Sequence, residues 1–532
     1  MTDAERSRIL EMLNSVPEED IPSQKQELKR WSPKVTALFD GTADPMENLP
    51  GYTYLGKLPI LKSREIKNSR VGIGLETLDR ETFDPKVAIP PLGRTGVKYA
   101  RCQTGWIRCE KEKGKYDFSW LDEVADLLEE QGIEPWFSIS FGNPFYTPYA
   151  HFDKLWEKHK DHMEIPGWPR GYVGEAPNYY GEEAMEGYKN YVRAMVKHFL
   201  GRVKIWEVWN EPEHFWCYQG KKIAETDGPR KVAEDYTELV RISAEVIREV
   251  NPEAIVVSCT SSAGTTIIRE LGRAGLGKYI DVHSFHSYGT YARVPEWFME
   301  QRVAHMKHFL SVPGKEVELI QGESGRASGP SMTRATRPNE YNQAKFVCRR
   351  YFNDIGAGVK ISSYFTASDF FRYYADGSDQ YYGIVGLDGS LKLGFHAVSA
   401  CATLLDGAEV EPGLLAICFP RLDTFHELSD YAPKTCAFRR HGVPMFAAWH
   451  PGTVDIHHDP KDCRLNLVIE NDGEMSDPIV IDPIRHNVYA VKADYNPTCQ
   501  RAVGIGRFPL TDYPLIITDL SIFKDFPGFL EK

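Results

Sequence analysis

The sequence has no C-x-x-C pair, although it contains 10 cysteines in 532 residues. Cysteines scattered in this way are typical of reduced, mostly buried thiols, and they argue against a disulfide framework or a zinc site. The chain also lacks the continuous apolar core of a signal peptide at its start. No later segment is long and apolar enough to span a bilayer. We therefore expect a cytoplasmic protein that does not insert into a membrane.

Long basic runs are missing as well. The chain has 63 basic and 75 acidic residues, which gives a formal net charge of -12. Nucleic acids and anionic membranes bind basic surfaces, so we expect neither as a partner. No G-x-G-x-x-G segment follows the first predicted strand, which argues against the alternative of an open, doubly wound sheet. The expected partner is a small or neutral molecule.

Hydrophobic residues make up 42% of the chain and aromatic residues 12%, enough for a large core. From residue 70 onward, short apolar segments alternate with amphipathic helices, the pattern of βαβ units. One helix shows it as a stripe formed by Leu121, Val124, Ala125 and Leu128. Eight segments predict strands, at residues 71–76, 97–103, 134–141, 203–211, 254–260, 281–288, 317–323 and 359–366. Eight strands with intervening helices predict an α/β fold, the (β/α)8 TIM barrel.

The pattern changes again near the end of the barrel. Short β-rich runs separated by Gly, Pro, Asn and Asp follow, at residues 445–449, 465–470, 479–481, 488–492 and 515–520. They predict a C-terminal antiparallel β-sandwich. We therefore divide the chain into an N-terminal extension (1–66), a barrel (67–405) and an accessory sandwich (406–532).

Two carboxylates lie where an apolar segment ends. The segment 203–211 ends in Asn210-Glu211-Pro212, and proline cannot donate to a strand ladder, so the strand should stop there. Glu323 ends the segment 317–323 in the same way, before a loop that contains glycine. A surface glutamate in a turn is the alternative for either residue alone. The two together indicate a paired function.

Two facing carboxyls are what the cleavage of a glycosidic bond requires. One delivers a proton to the leaving oxygen, and the other attacks the anomeric carbon or activates a water that does so. A separation of about 5 to 5.5 Å would indicate retention of configuration, and roughly 6.5 to 9.5 Å inversion. Spacing does not tell which glutamate is the acid. Strand alternation places Asn210 opposite Glu211 and Glu207 unless the strand end bends.

Five further polar residues are candidates for the same site. Arg101 on a core strand needs a carboxylate, either in a site or in a structural ion pair. His286 and Tyr288 share one face of the sixth strand, where core polar residues are the alternative. Glu76 follows the first strand as a site residue or a helix cap, and Asn143 follows the third strand, binding a hydroxyl or closing an Asx turn.

The ordered set of motifs resembles the retaining glycoside hydrolases of clan A, and most closely family 39, the β-xylosidase and α-iduronidase family. The set comprises Asn210-Glu211-Pro212 on the fourth strand, His286-Ser287-Tyr288 on the sixth and Glu323 on the seventh. Supporting segments are 205–216, 363–369 and 394–397. Together the similar segments span roughly residues 70 to 405.

The resemblance implies a role for individual residues. Glu211 corresponds to the general acid/base, Glu323 to the nucleophile and Asn210 to the residue that holds the sugar 2-hydroxyl. Gln103 stands where the family has His, and Phe365 where it usually has Trp. These departures concern the sugar pocket, so they bear on the substrate more than on the reaction.

The resemblance thus implies a retaining glycoside hydrolase that acts on a mono- or oligosaccharide or glycoside and needs no metal and no cofactor. A carbohydrate-binding barrel without efficient turnover is the alternative. A phosphate-handling barrel would need a Gly-rich phosphate loop after strand seven or eight, and Ser324-Gly325-Arg326 is too slight for one. Assembly into a homo-oligomer remains open.

Overall fold

The computed structural model describes residues 1–17, 43–147, 175–215, 228–288, 296, 298–329, 338–374, 377–420, 433–452, 454, 458–469, 475–495 and 501–530. Within these residues, no helix is both long and apolar enough to cross a membrane.

Eight parallel strands close into a barrel in chain order, which confirms the predicted fold class. The first nine strands of the chain are β1 (Tyr52–Lys57), β2 (Val71–Leu75), β3 (Tyr99–Gln103), β4 (Glu134–Ile139), β5 (Ile205–Val208), β6 (Ile255–Thr260), β7 (Val282–His286), β8 (Glu318–Ser324) and β9 (Ile361–Tyr364). The barrel consists of β2 to β9, so each of the eight predicted strands is present.

Helices precede, separate and follow these strands. They are α1 (Asp3–Ser15), α2 (Pro85–Leu92), α3 (Trp106–Cys109), α4 (Ser119–Gln131), α5 (Gly181–His198), α6 (Pro212–Phe215), α7 (Gly228–Val250), α8 (Thr265–Ala274), α9 (Met299–Leu310), α10 (Glu340–Gly356), α11 (Leu393–Leu405) and α12 (Pro527–Leu530). The predicted stripe of α4 is buried at all four positions. Gly132 ends that helix with φ 73°, and its N–H donates to the last-turn carbonyls of Leu128 and Glu129.

Two antiparallel sheets contain the strands that follow the barrel. These strands are β10 (Ala408–Val410), β11 (Leu415–Pro420), β12 (Lys434–Arg440), β13 (Val443–Trp449), β14 (Lys461–Val468), β15 (Pro478–Asp482), β16 (Asn487–Val491), β17 (Ala493–Tyr495), β18 (Ala502–Leu510) and β19 (Leu515–Asp519). One sheet has the order β1-β16-β15-β19-β13-β12-β10 and the other β11-β14-β18-β17. All five predicted C-terminal segments fall on these strands.

The N-terminal segment takes part in the larger sheet. Strand β1 pairs antiparallel with β16, with Tyr52 opposite Val491 and Lys57 opposite Asn487. Helix α1 packs beside β1 through the buried side chains of Ile9 and Leu13. The region predicted as an extension therefore completes the edge of a sheet otherwise built from C-terminal strands.

Buried charges join the barrel to the larger sheet. On α10, Lys345 pairs with Asp512 at 2.6 Å, and both side chains are almost fully buried. Arg349 on the same helix donates to Glu296 and to the carbonyl of Gly452. The Trp449 indole on β13 also donates to Glu296, at 2.9 Å. The helix is thus connected to β13 and to the loop between β18 and β19 by an ion pair and by hydrogen bonds.

Candidate active site

The end of β5 is bent, and this bend places its polar residues. The strand stops at Val208, earlier than predicted, because Trp209 and Glu211 both adopt positive φ, 67° and 45°. Strict alternation therefore ends before Asn210. The Asn210 side chain lies in the barrel interior with Glu207, where both contact Arg101. Helix α6 starts immediately afterwards at Pro212.

Arg101 on β3 is the hub of the buried site. Its Nε and Nη2 donate to the Glu207 carboxylate, and Nη2 also donates to Asn210 Oδ1 at 2.8 Å. Its Nη1 donates to Glu76 Oε1 and to Glu323 Oε2, both at 3.1 Å. All five N–H groups of the guanidinium are therefore used. Arg101 thus pairs with the buried carboxylate of Glu207 and also contacts the candidate catalytic carboxylate of Glu323, and its role in a site remains a prediction.

Glu323, near the end of β8, is held by three side chains. Arg101 donates to Oε2, the Tyr288 hydroxyl donates to Oε1 at 2.5 Å, and His286 Nδ1 lies 3.5 Å from Oε2. Burial raises the pKa of Glu323 and the charge of Glu211 adds to this effect, while Arg101 and Tyr288 act in the opposite direction. The Arg101 and Tyr288 donors favour and orient the ionised carboxylate.

His286 on β7 lies between the two candidate carboxylates. Its Nδ1 is 2.6 Å from Glu211 Oε1, and its Nε2 is 3.4 Å from the Cys259 sulfur. Burial lowers the pKa of His286 to about 4, so the ring is neutral at neutral pH. Burial raises the pKa of Cys259, which keeps its thiol protonated and able to donate to Nε2. The imidazole proton then lies on Nδ1 and points to Glu211.

One oxygen of Glu211 and one of Glu323 lie within 4.8 Å of each other. This separation is shorter than the roughly 6.5 Å at which an inverting pair begins. With His286, the two carboxylates could also hold a metal ion. An acid, a base and a nucleophile for an acetal are already present in the two carboxyls.

Aromatic rings form a wall beside Glu323. The ring of Phe365 meets Tyr288 edge to face at 5.9 Å, Tyr382 at 5.5 Å and Phe370 at 5.6 Å. Phe365 is almost completely buried, whereas Tyr288 is half-buried. Phe370 is fully buried and Phe365 and Tyr382 are nearly so, so these rings pack as core beside Tyr288.

Two predicted site residues have their polar atoms engaged in loops. Gln103 Oε1 accepts from the backbone N–H of Thr77 and from Arg80, both at 3.0 Å. It therefore fixes the turn after β2. Asn143 Oδ1 accepts from the N–H of Phe145 at 3.0 Å, the Asx turn predicted as one alternative. Sugar contacts of Gln103 and Asn143 remain predictions.

Two residues of the site were not predicted as members of it, Glu207 and Thr366. Glu207 lies in the middle of an apolar strand, and a fully buried carboxylate there requires a cationic partner. This position in the sequence could therefore have indicated the ion pair. Thr366 Oγ1 contacts Glu76 Oε2 at 3.2 Å. No local pattern indicates that contact, because the two residues are brought together only when the barrel closes between β2 and β9.

A (β/α)8 barrel with two neighbouring carboxyls at the carboxyl ends of β5 and β8 has the architecture and the chemical groups of a glycoside hydrolase. Comparison with known proteins agrees with this class. A family model described as β-galactosidase matches residues 86–226. The match includes Glu211 and ends before Glu323.

Two proteins that are similar in sequence are named β-galactosidases. One from Clostridium cellulovorans is 28% identical over 156 residues, which are 28% of this chain and 22% of the relative. Another, from Bifidobacterium bifidum, is 33% identical over 109 residues, 20% of this chain and 15% of the relative. The matched segment thus spans less than a quarter of either relative.

The likeness in structure is much longer. A family 39 glycoside hydrolase from the gut symbiont Bacteroides cellulosilyticus covers 87% of this chain and 83% of its own, with a TM-score of 0.58 and 18% identity. At this identity the likeness shows the fold. The predicted resemblance to clan A glycoside hydrolases near family 39 is confirmed.

Proposed function

We propose that this protein is a retaining glycoside hydrolase that cleaves β-glycosidic bonds by double displacement. The observation that carries the proposal is the pair of carboxyls at two barrel strand ends, with one oxygen of each within 4.8 Å of the other. The two have different surroundings. Glu323 receives hydrogen bonds from Arg101 and Tyr288, whereas Glu211 contacts a neutral imidazole.

In the first half of the reaction, the Glu323 carboxylate attacks the anomeric carbon and forms a glycosyl ester. Protonated Glu211 gives its proton to the glycosidic oxygen, and the aglycone leaves as an alcohol. The half-buried Tyr288 and the buried Arg101 stabilise Glu323 as an anion before the attack. Asn210, held by Arg101, is the proposed contact for the sugar 2-hydroxyl.

In the second half, the Glu211 carboxylate takes a proton from water, and the resulting hydroxide attacks the same anomeric carbon. The bond to Glu323 breaks, Glu323 leaves as a carboxylate, and the sugar keeps its original configuration. His286 stays next to Glu211 through both halves. Because it is neutral and donates from Nδ1, it supports the carboxylate without supplying a full positive charge.

We further propose a β-xyloside or a β-galactoside as the sugar. The first follows from the resemblance to family 39, and the second is supported by the names of the sequence relatives. We propose a cytoplasmic protein, supported by free thiols at all eight cysteines within the described residues. The acidic net charge of -12 supports a partner other than nucleic acid or an anionic membrane, and a homo-oligomer remains a proposal to test.

A panel of nitrophenyl β-glycosides, including β-xyloside and β-galactoside, tests the proposal. Proton NMR of the first-formed sugar should show the β-anomer before mutarotation. Release of the α-anomer would contradict the retaining mechanism. Binding of glycosides without turnover across the panel would favour the alternative, a carbohydrate-binding barrel.

A further inference from the structure

A third carboxyl, Glu76, is built into the site next to the proposed nucleophile. It follows β2 and is 1% exposed. Its side chain folds back over Gly74, where an added Cβ would lie 2.0 Å from Glu76 Oε2. Glycine at position 74 therefore creates the space that the carboxyl occupies. A carboxyl buried in this way in the barrel interior must be either neutral or paired with a positive charge.

The hydrogens around Glu76 can be counted. Thr366 Oγ1 lies 2.7 Å from the carbonyl oxygen of Gly74 and 3.2 Å from Glu76 Oε2. The hydroxyl has one hydrogen, and the carbonyl can only accept it. With that hydrogen on the shorter contact, the Thr366 oxygen offers Glu76 a lone pair. An attractive contact then requires a hydrogen on Oε2, which is present when Glu76 is protonated.

The surroundings of Glu76 and Glu323 also indicate that Glu76 is the protonated carboxyl of the two. Both accept from Nη1 of Arg101, but Glu323 also accepts from the Tyr288 hydroxyl. Arg101 already neutralises Glu207, so three ionised carboxylates on one buried guanidinium would leave a net negative charge in the barrel. Glu323 is 8% exposed and accepts from a phenol hydroxyl, whereas Glu76 is 1% exposed and its further acceptor contact is with its own backbone N–H.

We propose that Glu76 is a positioning residue whose protonated carboxyl accepts from Arg101 and donates to Thr366, so that Glu323 is the anion at Nη1. This inference rests on the proposed function, since it concerns the nucleophile of that reaction. The neutral acid fills its space and orients the guanidinium without competing with Glu323 for positive charge. It acts through Arg101 and has no contact with the reacting bond.

The proposal predicts a limit at alkaline pH. Burial, followed by the charge of Glu323, raises the pKa of Glu76 to about 8. The ionisable groups that face it are Arg101 and Cys102 on β3 and Glu323 on β8. When Glu76 ionises, it loses its hydrogen bond to Thr366, repels Glu323 and attracts Arg101. The nucleophile is then displaced, and activity falls as pH rises through this pKa.

Glu76→Gln and Glu76→Ala separate the neutral acid from the anion. The glutamine amide can donate to Thr366 and accept from Arg101 but cannot ionise. We expect kcat of Glu76→Gln at pH 6 within roughly 3-fold of wild type, and an alkaline decline moved to higher pH. Glu76→Ala leaves the guanidinium N–H unpaired, so kcat should fall at least about 10-fold with a smaller change in KM.

Glu270→Gln is the matched control, because Glu270 is a buried glutamate on α8, away from the barrel interior, that pairs with Arg273. Its pH profile should equal that of wild type. Difference infrared spectra of wild type minus Glu76→Gln supply a readout independent of activity. At pH 6 they should show the C=O band of a protonated carboxyl, and the band should disappear above pH 9.

Absence of that band at pH 6, or an alkaline decline unchanged in Glu76→Gln, would overturn the inference. So would an equal loss of kcat in the glutamine and alanine variants, because Glu76 would then act as an anion. These results leave the retaining mechanism untouched. That mechanism depends on Glu211 and Glu323, and it would be contradicted by inversion of configuration in the product.

Discussion

At the scale of single residues, Arg101 connects the structure to the chemistry. It holds Glu207 and Asn210 from the bent end of β5 and Glu323 from β8, so the two strand ends that carry the reaction share one cation. Lysine could not replace it, because an ammonium has three donors in place of five and no planar fork. The position of Glu323, the proposed nucleophile, therefore depends on a side chain that is itself fully buried.

Tyr288→Phe tests how Glu323 is kept ionised. The variant removes the hydroxyl that donates to Oε1, and this hydrogen bond lowers the pKa of Glu323. Its loss raises that pKa, so the acidic limb of the kcat/KM profile should move to higher pH and kcat should fall by roughly 10-fold or more.

Tyr99→Phe is the control for this variant, because Tyr99 lies at the opposite end of β3 from the site. Its profile should match wild type. An acidic limb of Tyr288→Phe that stays in place, or moves to lower pH, would show that Tyr288 does not stabilise the Glu323 carboxylate.

At the scale of elements, the sequence predicts which helices and strands exist better than it predicts the residues at which they end. The helix stripe of α4 and the apolar strands are local periodic signals, and they locate all eight barrel strands. The end of β5 is different. Asn210 faces Arg101 only because Trp209 and Glu211 adopt positive φ, and neither residue type favours that region. The bend is imposed by tertiary contacts, so alternation alone could not resolve it.

Contacts between elements that are far apart in the sequence could not be predicted from local sequence patterns either. The pairing of β1 with β16 joins residues near 52 to residues near 491. No role for the segment 1–66 could be predicted, because the strand that pairs with β1 lies at the other end of the chain. The same applies to Glu76 and Thr366, which meet across the closure of the barrel.

The ion pair between α10 and the larger sheet gives a prediction about stability. Lys345→Met leaves Asp512 as a buried charge without its ammonium, so the free energy of unfolding should fall by about 3 kcal/mol or more. Lys86→Met removes one member of an exposed pair with Glu123 and should change the free energy of unfolding much less. Urea unfolding measures both, and equal effects would contradict a supporting role for the buried pair.

At the scale of the whole molecule, the barrel brings the side chains of the site together. Four of the eight barrel strands contribute Glu76 (just after β2), Arg101 (β3), His286 (β7) and Glu323 (β8). Side chains far apart in sequence thus meet at one end of the barrel. The ordered motifs predicted that residues from different strands meet at this end. Gln103 and Phe365 differ from the residues usual in family 39, so the sugar is identified by the glycoside panel.

The most direct test of the roles of Glu211 and Glu323 is azide rescue of the two alanine variants on an activated aryl β-glycoside. In Glu211→Ala the nucleophile remains, so azide should replace the base-activated water and give the β-glycosyl azide. In Glu323→Ala azide should enter the vacated space and give the α-glycosyl azide directly. Proton NMR distinguishes the anomers. The same anomer from both variants, or the two anomers exchanged, would contradict the assigned roles.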